Sequence, residues 1–251
     1  MPQTVVVLPT YNEIENLPLM VNELLALPVD DLRILVVDDN SPDGTGQLAD
    51  KLATEYPRRI SVLHRQEKNG LGQAYLAGFK RAIEMKADYI IQMDADFSHQ
   101  PKYIPDMIAA AQKHDLVICS RYAKGGSVDE SWSKFRKLLS WFANAVYLPI
   151  VLSVPFRDAT AGYRLWHRQT LIGIDLDRVR SNGYIFQVEM AYITHRLGYR
   201  VCEVPIYFPE RAHGESKMNI AIQIEAALRA LQVRYRHHIL KPAMRRTEAY
   251  I

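Results

Sequence analysis

The feature that most constrains this chain is a repeated switch of hydrophobic period along its first half. Short β-branched runs (Val5 to Leu8, Arg33 to Val37, Ile60 to Leu63, Tyr89 to Met93, Leu116 to Ser120) alternate with stretches whose apolar residues recur at helical spacing. Examples of the latter are Leu17, Met20, Val21, Leu24 and Leu25, and then Leu48, Leu52 and Tyr56. Strands separated by helices imply a mostly parallel central sheet flanked by helices, an α/β fold. Pro18 falls where a first helical turn tolerates its missing N–H. The second half is less regular, with an amphipathic stretch over 133–148, a strand near Arg200 to Val204 and a helix from Asn219 to Arg236. That helix places Ile220, Ile224, Leu228 and Leu231 on one side. The expected organisation is a catalytic unit over 1–218, followed by a C-terminal amphipathic helix and basic tail over 219–251.

Hydrophobic residues at 48% and charged residues at 24% speak against both disorder and a repeat architecture. The net charge of +3 decides little, but Arg229, Arg234, Arg236, Lys241, Arg245 and Arg246 crowd the end of the chain beside His237 and His238. A basic tail of this kind suits anionic lipid or nucleic acid. Cys119 and Cys202 each lie in a strand-like apolar run, which suggests two buried thiols in a reducing compartment rather than a bridge. No basic n-region or long apolar segment precedes Thr4, so no export signal is expected.

The charge-free run from Leu138 to Phe156 approaches the roughly 20 apolar residues needed to span a bilayer. Asn144, Pro149 and Pro155 interrupt it, and Lys134, Arg136 and Lys137 precede it. An amphipathic helix lying at a membrane interface is the favoured reading, with ordinary core packing and a true span as alternatives. Its apolar side would carry Trp132, Phe135, Leu138, Leu139, Phe142 and Val146.

Ligands of open parallel sheets bind beyond the carboxyl ends of the strands. There this sequence has Pro9-Thr10-Tyr11-Asn12-Glu13, Asp38-Asp39-Asn40-Ser41, Asp94-Ala95-Asp96 and Arg121. Carboxylates at i and i+2 on extended backbone point the same way, so Asp94 and Asp96 could together hold one hard cation. Asp-x-Asp alone is more often a solvated turn or cap; its place after an apolar strand, with another acid pair at a neighbouring strand end, favours the metal reading. Asp38 and Asp39 could cap a turn or contact a nucleoside. Tyr11 and Glu13 could be a core ring and a first-turn acid, or pack a base and bind ribose. Gly70, Gly72 and Gly78 do not have Gly-x-Gly-x-x-Gly spacing, and close helix packing explains them better than phosphate binding.

Taken together, these segments resemble glycosyltransferase family 2, and within it the dolichol-phosphate and polyprenyl-phosphate mannose synthases. The resemblance rests on LPTYNEIENL at 8–17, VVDDNSPDGT at 36–45, QMDADFSHQP at 92–101 and CSRY at 119–122. It continues in DATAGYRLW at 158–166, SNGYIFQVEM at 181–190 and VPIYFPERAHGESKMN at 204–219. The resemblance implies a GT-A fold with Pro9, Tyr11, Glu13, Val37 and Asp39 around the nucleoside, and Asp94, Ala95 and Asp96 at a Mg²⁺ or Mn²⁺ ion and the diphosphate. Arg211 and Lys217 would close on the donor diphosphate, while Arg121, Arg136 and Ser140 would grip the acceptor phosphate. Ser98 stands where some relatives carry a metal-binding Gln, which leaves a third protein ligand open.

The implied reaction is transfer of mannose from GDP-mannose to a dolichyl or polyprenyl monophosphate. Asp94, Asp96, Arg121, Arg211 and Lys217 would be the catalytic residues, acting at the cytoplasmic face of a membrane. A phosphate monoester with second pKa of about 6 is largely dianionic at neutral pH, so it needs no catalytic base, and in-line attack inverts the anomeric centre. The expected partners are donor, lipid acceptor and membrane surface, without nucleic acid. Two alternatives stand beside this: a family 2 enzyme using UDP-glucose, UDP-GlcNAc or a hydroxyl acceptor, and a lipid- or nucleic-acid-binding protein whose basic tail is its working part.

Overall fold

The computed structural model describes residues 2–183, 185–210 and 220–248, with side chains described from residue 227 onward in the last stretch. Strands β1 (Thr4–Thr10), β2 (Leu32–Asp38) and β3 (Ile60–His64) alternate with helices α1 (Asn16–Leu25), α2 (Thr45–Glu55) and α3 (Leu71–Glu84). The pattern continues through β4 (Tyr89–Gln92), α4 (Ile104–Ala111), β5 (Leu116–Ser120) and the short β6 (Ser127–Val128). A helical stretch follows, made of α5 (Lys134–Trp141), a π-helical segment (Phe142–Tyr147) and α6 (Leu148–Leu152). The remaining elements are β7 (Arg164–His167), α7 (Arg168–Ile174), α8 (Ile185–Arg196), β8 (Val201–Pro205), β9 (Tyr207–Phe208) and α9 (Ile220–His237).

The six expected strands, joined by β7, form a seven-stranded sheet in the order β3-β2-β1-β4-β7-β5-β8. Every pairing in it is parallel except those of β7, which is antiparallel to both β4 and β5. Period-two alternation assigns the two faces. Val5 and Val7 of β1 pack with Tyr75 and Phe79 of α3, whereas Val6 and Leu8 pack with Leu17 and Met20 of α1. All eight side chains are fully buried, and each contributes roughly 1.5–3 kcal/mol by area. Helix α3 lies directly on β1 because residue 78 is glycine, since a Cβ there would stand 2.3 Å from Val7 Cγ1. Gly72 likewise admits Phe186, whose ring would lie 3.1 Å from an added Cβ. Close packing thus accounts for both glycines.

Strand β1 has β2 on one side and β4 on the other, so successive crossovers diverge between β1 and β4. The crevice beyond their carboxyl ends is a topological switch point, where open sheets bind ligands.

Two elements had no clear signature in the sequence. Strand β7 is four residues containing Arg, Trp and His, and its pairing comes from flanking strands distant in the chain. Helix α8 is buried on all sides from Ile185 to Thr194, so it has no amphipathic period to detect.

The stretch expected as one amphipathic helix is continuous but changes its winding. The π-helical turn before Pro149 hydrogen-bonds Leu148 N–H to Ala143 O, which lets the ladder pass the proline without a break. Phe135, Leu138, Trp141, Phe142 and Ile150 are exposed, whereas Trp132 is buried and Leu139 and Val146 are half-buried. The outward apolar face is therefore shifted from the expected one. No described helix is long and apolar enough to cross a membrane.

Helix α9 buries Ala230, Val233 and His237 against the body, while Leu228 and Leu231 point outward. The side chains of Ile220 and Ile224 lie outside the described residues. Cys119 is buried, Cys202 is half-buried, and both are free thiols. Burial pushes the Cys119 thiol well up and Cys202 to about 11.

Candidate active site

The loops beyond β1 and β2 are fastened to each other. Asp38 accepts hydrogen bonds from Thr10 Oγ1 (3.1 Å), Ser41 N–H (3.0 Å) and Ser41 Oγ (2.6 Å). Asn12 N–H donates to Ser41 Oγ at 3.1 Å, and Glu13 N–H to Thr45 Oγ1 at 3.0 Å. Asn12 and Asn40, with φ of 60° and 57°, adopt the left-handed conformation that asparagine tolerates. Asp38 is thus a turn-capping residue. Asp39 instead pairs with Arg65, and its side chain is only 7% exposed. Burial raises the Asp39 pKa, opposed by the Arg65 guanidinium. Tyr11 lies half-buried with the Lys68 ammonium 3.4 Å from its ring centroid. Pro9 and Val37 are register partners in β1 and β2, and Glu13 accepts from Asn16 Nδ2 at 2.8 Å. The five expected nucleoside residues therefore share one corner.

Asp94, Ala95 and Asp96 follow β4. Phe97, at φ 62°, reverses the backbone so that the next residues face back onto the acids. Ser98 donates to Asp96 Oδ1 through its N–H (3.1 Å) and its hydroxyl (2.5 Å), and Asp94 N–H donates to His99 Nδ1 at 2.8 Å. The Tyr75 hydroxyl of α3 donates to Asp94 Oδ1 at 2.5 Å. Burial, together with the neighbouring Asp94 and Asp96, holds the Tyr75 phenol well above its ordinary pKa. No group of three or more His, Cys, Asp or Glu suited to a metal occurs among the described residues. A pair of half-exposed carboxylates fits a hard cation that takes its remaining oxygens from diphosphate and water. Ser98, buried and bonded to Asp96, orients that acid.

Arg121 sits beyond β5 with a side chain 12% exposed. Its backbone N–H and Nε each donate to Asp158 Oδ2 at 2.9 Å, and Nη2 donates to Asp158 Oδ1 (2.6 Å) and Thr160 Oγ1 (2.7 Å). Burial lowers the Arg121 pKa, but Asp158 outweighs it and the group ends above its usual value. Nη1 makes no hydrogen bond among the described residues, which leaves it for another anion. Ser140 Oγ accepts from the Tyr122 hydroxyl at 2.5 Å, and the Arg136 charge is felt at the same Tyr122. Arg136 lies 3.6 Å from the Trp132 ring centroid and donates to Glu210 at 3.0 Å. That ion pair is 37% and 41% exposed, so it is weak and open to exchange. The Phe208 ring joins the two halves of the rim, 6.0 Å from His99 and 5.4 Å from the Arg121 guanidinium. Arg211 and Lys217 lie outside the described residues.

Sequence reasoning missed Tyr75, His99, Arg65, Lys68, Tyr122, Asp158 and Thr160. His99, Tyr122, Asp158 and Thr160 lie inside the motif segments and were within reach. Tyr75 sits on an apolar helix stripe, which reads as core.

A sheet with its switch point between β1 and β4, an acid pair beyond β4 and capped loops beyond β1 and β2 is the frame of a nucleotide-sugar transferase. Residues 5–171 match the sequence model of glycosyl transferase family 2; the chain belongs to that family and is a glycosyltransferase with a GT-A fold. Among curated relatives, it is 50% identical over 223 residues to the undecaprenyl-phosphate mannosyltransferase of Micrococcus luteus, covering 88% of this chain and 90% of that one. It is 47% identical over 219 residues to the polyprenol monophosphomannose synthase of Mycolicibacterium smegmatis, covering 86% and 81%. Among solved structures, mannosyl-3-phosphoglycerate synthase from Rubrobacter xylanophilus superposes with TM-score 0.65 at 19% identity, covering 94% of this chain and 75% of that one. Glucosyl-3-phosphoglycerate synthase from Mycobacterium tuberculosis, in complex with Mn²⁺, UDP and glucosyl-3-phosphoglycerate, superposes with TM-score 0.62 at 17% identity, covering 95% and 81%. At these identities the structural likeness is one of fold.

Proposed function

We propose that this enzyme transfers mannose from GDP-mannose to a polyprenyl or dolichyl monophosphate with inversion, giving a β-linked mannosyl phosphoprenol at a membrane surface. In this reading residues 1–218 are the catalytic unit and 219–251 a C-terminal amphipathic helix and basic tail. Both curated relatives are named for mannosyl transfer to a polyprenol phosphate, which supports sugar and acceptor class. The observation that carries the acceptor reading is that Arg136 and Ser140 belong to α5, whose outward residues Phe135, Leu138 and Trp141 are exposed apolar side chains. A phosphate-binding group and a lipid-facing surface on one helix suit a substrate whose headgroup is a phosphate and whose tail is in a bilayer.

In this reading Tyr11, Glu13 and Asp39, with Pro9 and Val37 beneath them, bind the nucleoside. Asp94 and Asp96 would hold a divalent cation beside Ala95, which would supply neutralising charge for the departing diphosphate. Arg211 and Lys217 add donors on the same diphosphate. Arg121 Nη1, Arg136 and Ser140 bind the acceptor phosphate. Asp158 and Thr160 fix the Arg121 plane, so that its charge is pre-oriented rather than reorganised during the reaction. The acceptor dianion attacks the anomeric carbon directly, and no side chain is required to remove a proton.

Purified enzyme with polyprenyl phosphate vesicles and Mg²⁺ should consume GDP-mannose in preference to UDP-glucose, and NMR should show a β-linked product. An α-linked product, or preferred turnover of UDP-glucose, would overturn the assignment.

A further inference from the structure

Between Asp94, beyond β4, and Arg121, beyond β5, lies β7. Because β7 runs antiparallel to both neighbours, its N-terminal approach, Ala159 to Tyr163, is the part that lies on the rim. Arg164 is the register partner of both Gln92 and Ile118, and Cys119 N–H donates to Tyr163 O at 2.9 Å. The two strand spacings from β4 to β5 come to about 10 Å, room for one sugar ring between a diphosphate and an acceptor phosphate. Gly162 is half-buried on this approach, and a Cβ there would stand 3.2 Å from His99 Cε1 and 3.4 Å from Gln187 Nε2. The glycine thus brings the rim backbone against the Gln187 amide.

Gln187 lies in the first turn of α8 and is 5% exposed. Its amide can point only one way. Trp166 Nε1 is solely a donor and donates to Gln92 Oε1 at 3.3 Å, so Gln92 Nε2 donates onward to Gln187 Oε1 at 2.7 Å. Gln187 Nε2 is left facing Gly162, and it donates to no described residue. The sealed, unpartnered side-chain donors among the described residues include Arg164 Nε and Trp132 Nε1 but not Gln187 Nε2, so this NH₂ group opens to solvent. Its frame is fixed as well. The fully buried Arg164 donates to Gln187 O at 2.8 Å and to Ala159 O at 2.7 Å, which ties α8 to the approach of β7.

We propose that Gln187 Nε2 is a specificity-determining donor that hydrogen-bonds one hydroxyl of the transferred sugar, with Gly162 leaving the space for that contact. The inference rests on the proposed reading of donor and acceptor, which puts the diphosphate at Asp94 and the acceptor phosphate at Arg121. A neutral, pre-oriented amide suits a neutral hydroxyl, whereas both phosphates have charged groups of their own. A sugar without that hydroxyl would exclude water from the donor and return no hydrogen bond, so the site discriminates against it.

The test compares kcat/KM for GDP-mannose and for the four analogues that each lack one mannose hydroxyl, in the wild type and in Gln187→Met, a side chain of similar length without a donor. In the wild type, the analogue missing the bound hydroxyl should lose about tenfold or more. In Gln187→Met, GDP-mannose itself should fall by a similar factor and that one penalty should disappear, while the other three penalties persist. GDP affinity by calorimetry should stay at the wild-type value. Should Gln187→Met fail to fold because Gln92 Nε2 has lost its acceptor, Gln92→Met combined with Gln187→Met removes both partners and serves in its place. A purely structural glutamine would lower the melting temperature and slow all five substrates alike, and four unchanged penalties in a folded variant overturn the inference while sparing the proposed function. Failure of the wild type to use GDP-mannose overturns the proposed function and the inference with it.

Discussion

Asp38 and Asp39 are neighbours in sequence, yet strand geometry sends them to different tasks. The first accepts three hydrogen bonds from Thr10 and Ser41 and closes a turn, while the second is paired to Arg65 at the corner proposed for the nucleoside. The sequence offered both readings for the pair, and only the fold could divide them. Arg121 and Arg136 also differ in kind. Arg121 is locked by Asp158, whereas Arg136 has an exposed partner in Glu210 that a phosphate can replace. Arg136→Ala should therefore raise the acceptor KM about tenfold or more, in line with loss of a charge-assisted hydrogen bond, and leave GDP affinity nearly unchanged by calorimetry. A fall in GDP affinity equal to the fall in turnover would place Arg136 on the donor side. Asp94 and Asp96 were legible because their spacing and strand context are local. Tyr75 was not, since its link to Asp94 crosses from helix to strand end.

At the scale of elements, α5 illustrates how far a hydrophobic pattern reaches. The sequence supplied an apolar side to this helix, but which apolar residues face the body depends on what lies beneath. Trp132 turns inward against Phe208 (6.1 Å) and Arg136, so Phe135, Leu138, Trp141 and Phe142 form the outer face. Leu138 is 63% exposed, so its replacement by Glu costs the fold little. Leu138→Glu should retain the wild-type melting temperature, yet float poorly with anionic vesicles and turn over lipid acceptor more slowly. Unchanged flotation would move the docking surface elsewhere. Helix α9 carries a similar division, with Ala230, Val233 and His237 inward and Leu228, Leu231 and Tyr235 outward. Of its expected apolar side Leu228 and Leu231 are exposed, while Ala230 and Val233 face the body, where small side chains allow α9 to pack closely against α6 and α8.

In the whole molecule, one buried carboxylate ties the C-terminal end of α9 to the segment that precedes α8. Glu189 of α8, fully buried, accepts from Arg180 N–H (2.9 Å), Ser181 N–H (2.7 Å), His237 Nε2 (2.7 Å) and Arg236 Nη1 (3.0 Å). Burial alone would raise its pKa, but the hydrogen bonds from His237 and Ser181 outweigh it and hold the group at about 2, below the ordinary 4.5. An acid with a depressed folded-state value stabilises fully above pH 4.5 and loses that contribution as pH falls through about 2. The contribution is on the order of 3 kcal/mol. Urea unfolding should show Glu189→Gln destabilised near neutrality and less sensitive to acid than the wild type between pH 4.5 and 2. Equal acid sensitivity would remove Glu189 from the account. By itself the sequence determined the alternation of strands and helices, the rim on which the chemistry-bearing residues gather, and the family, because these follow from local period and from motifs a few residues long. Tertiary structure alone decided the antiparallel β7, the outward face of α5, the clamp of Tyr75 on Asp94 and the tie from His237 to Glu189. Each of these depends on what a side chain meets across the sheet or between helices, and residues distant in the chain settle that only once they pack together.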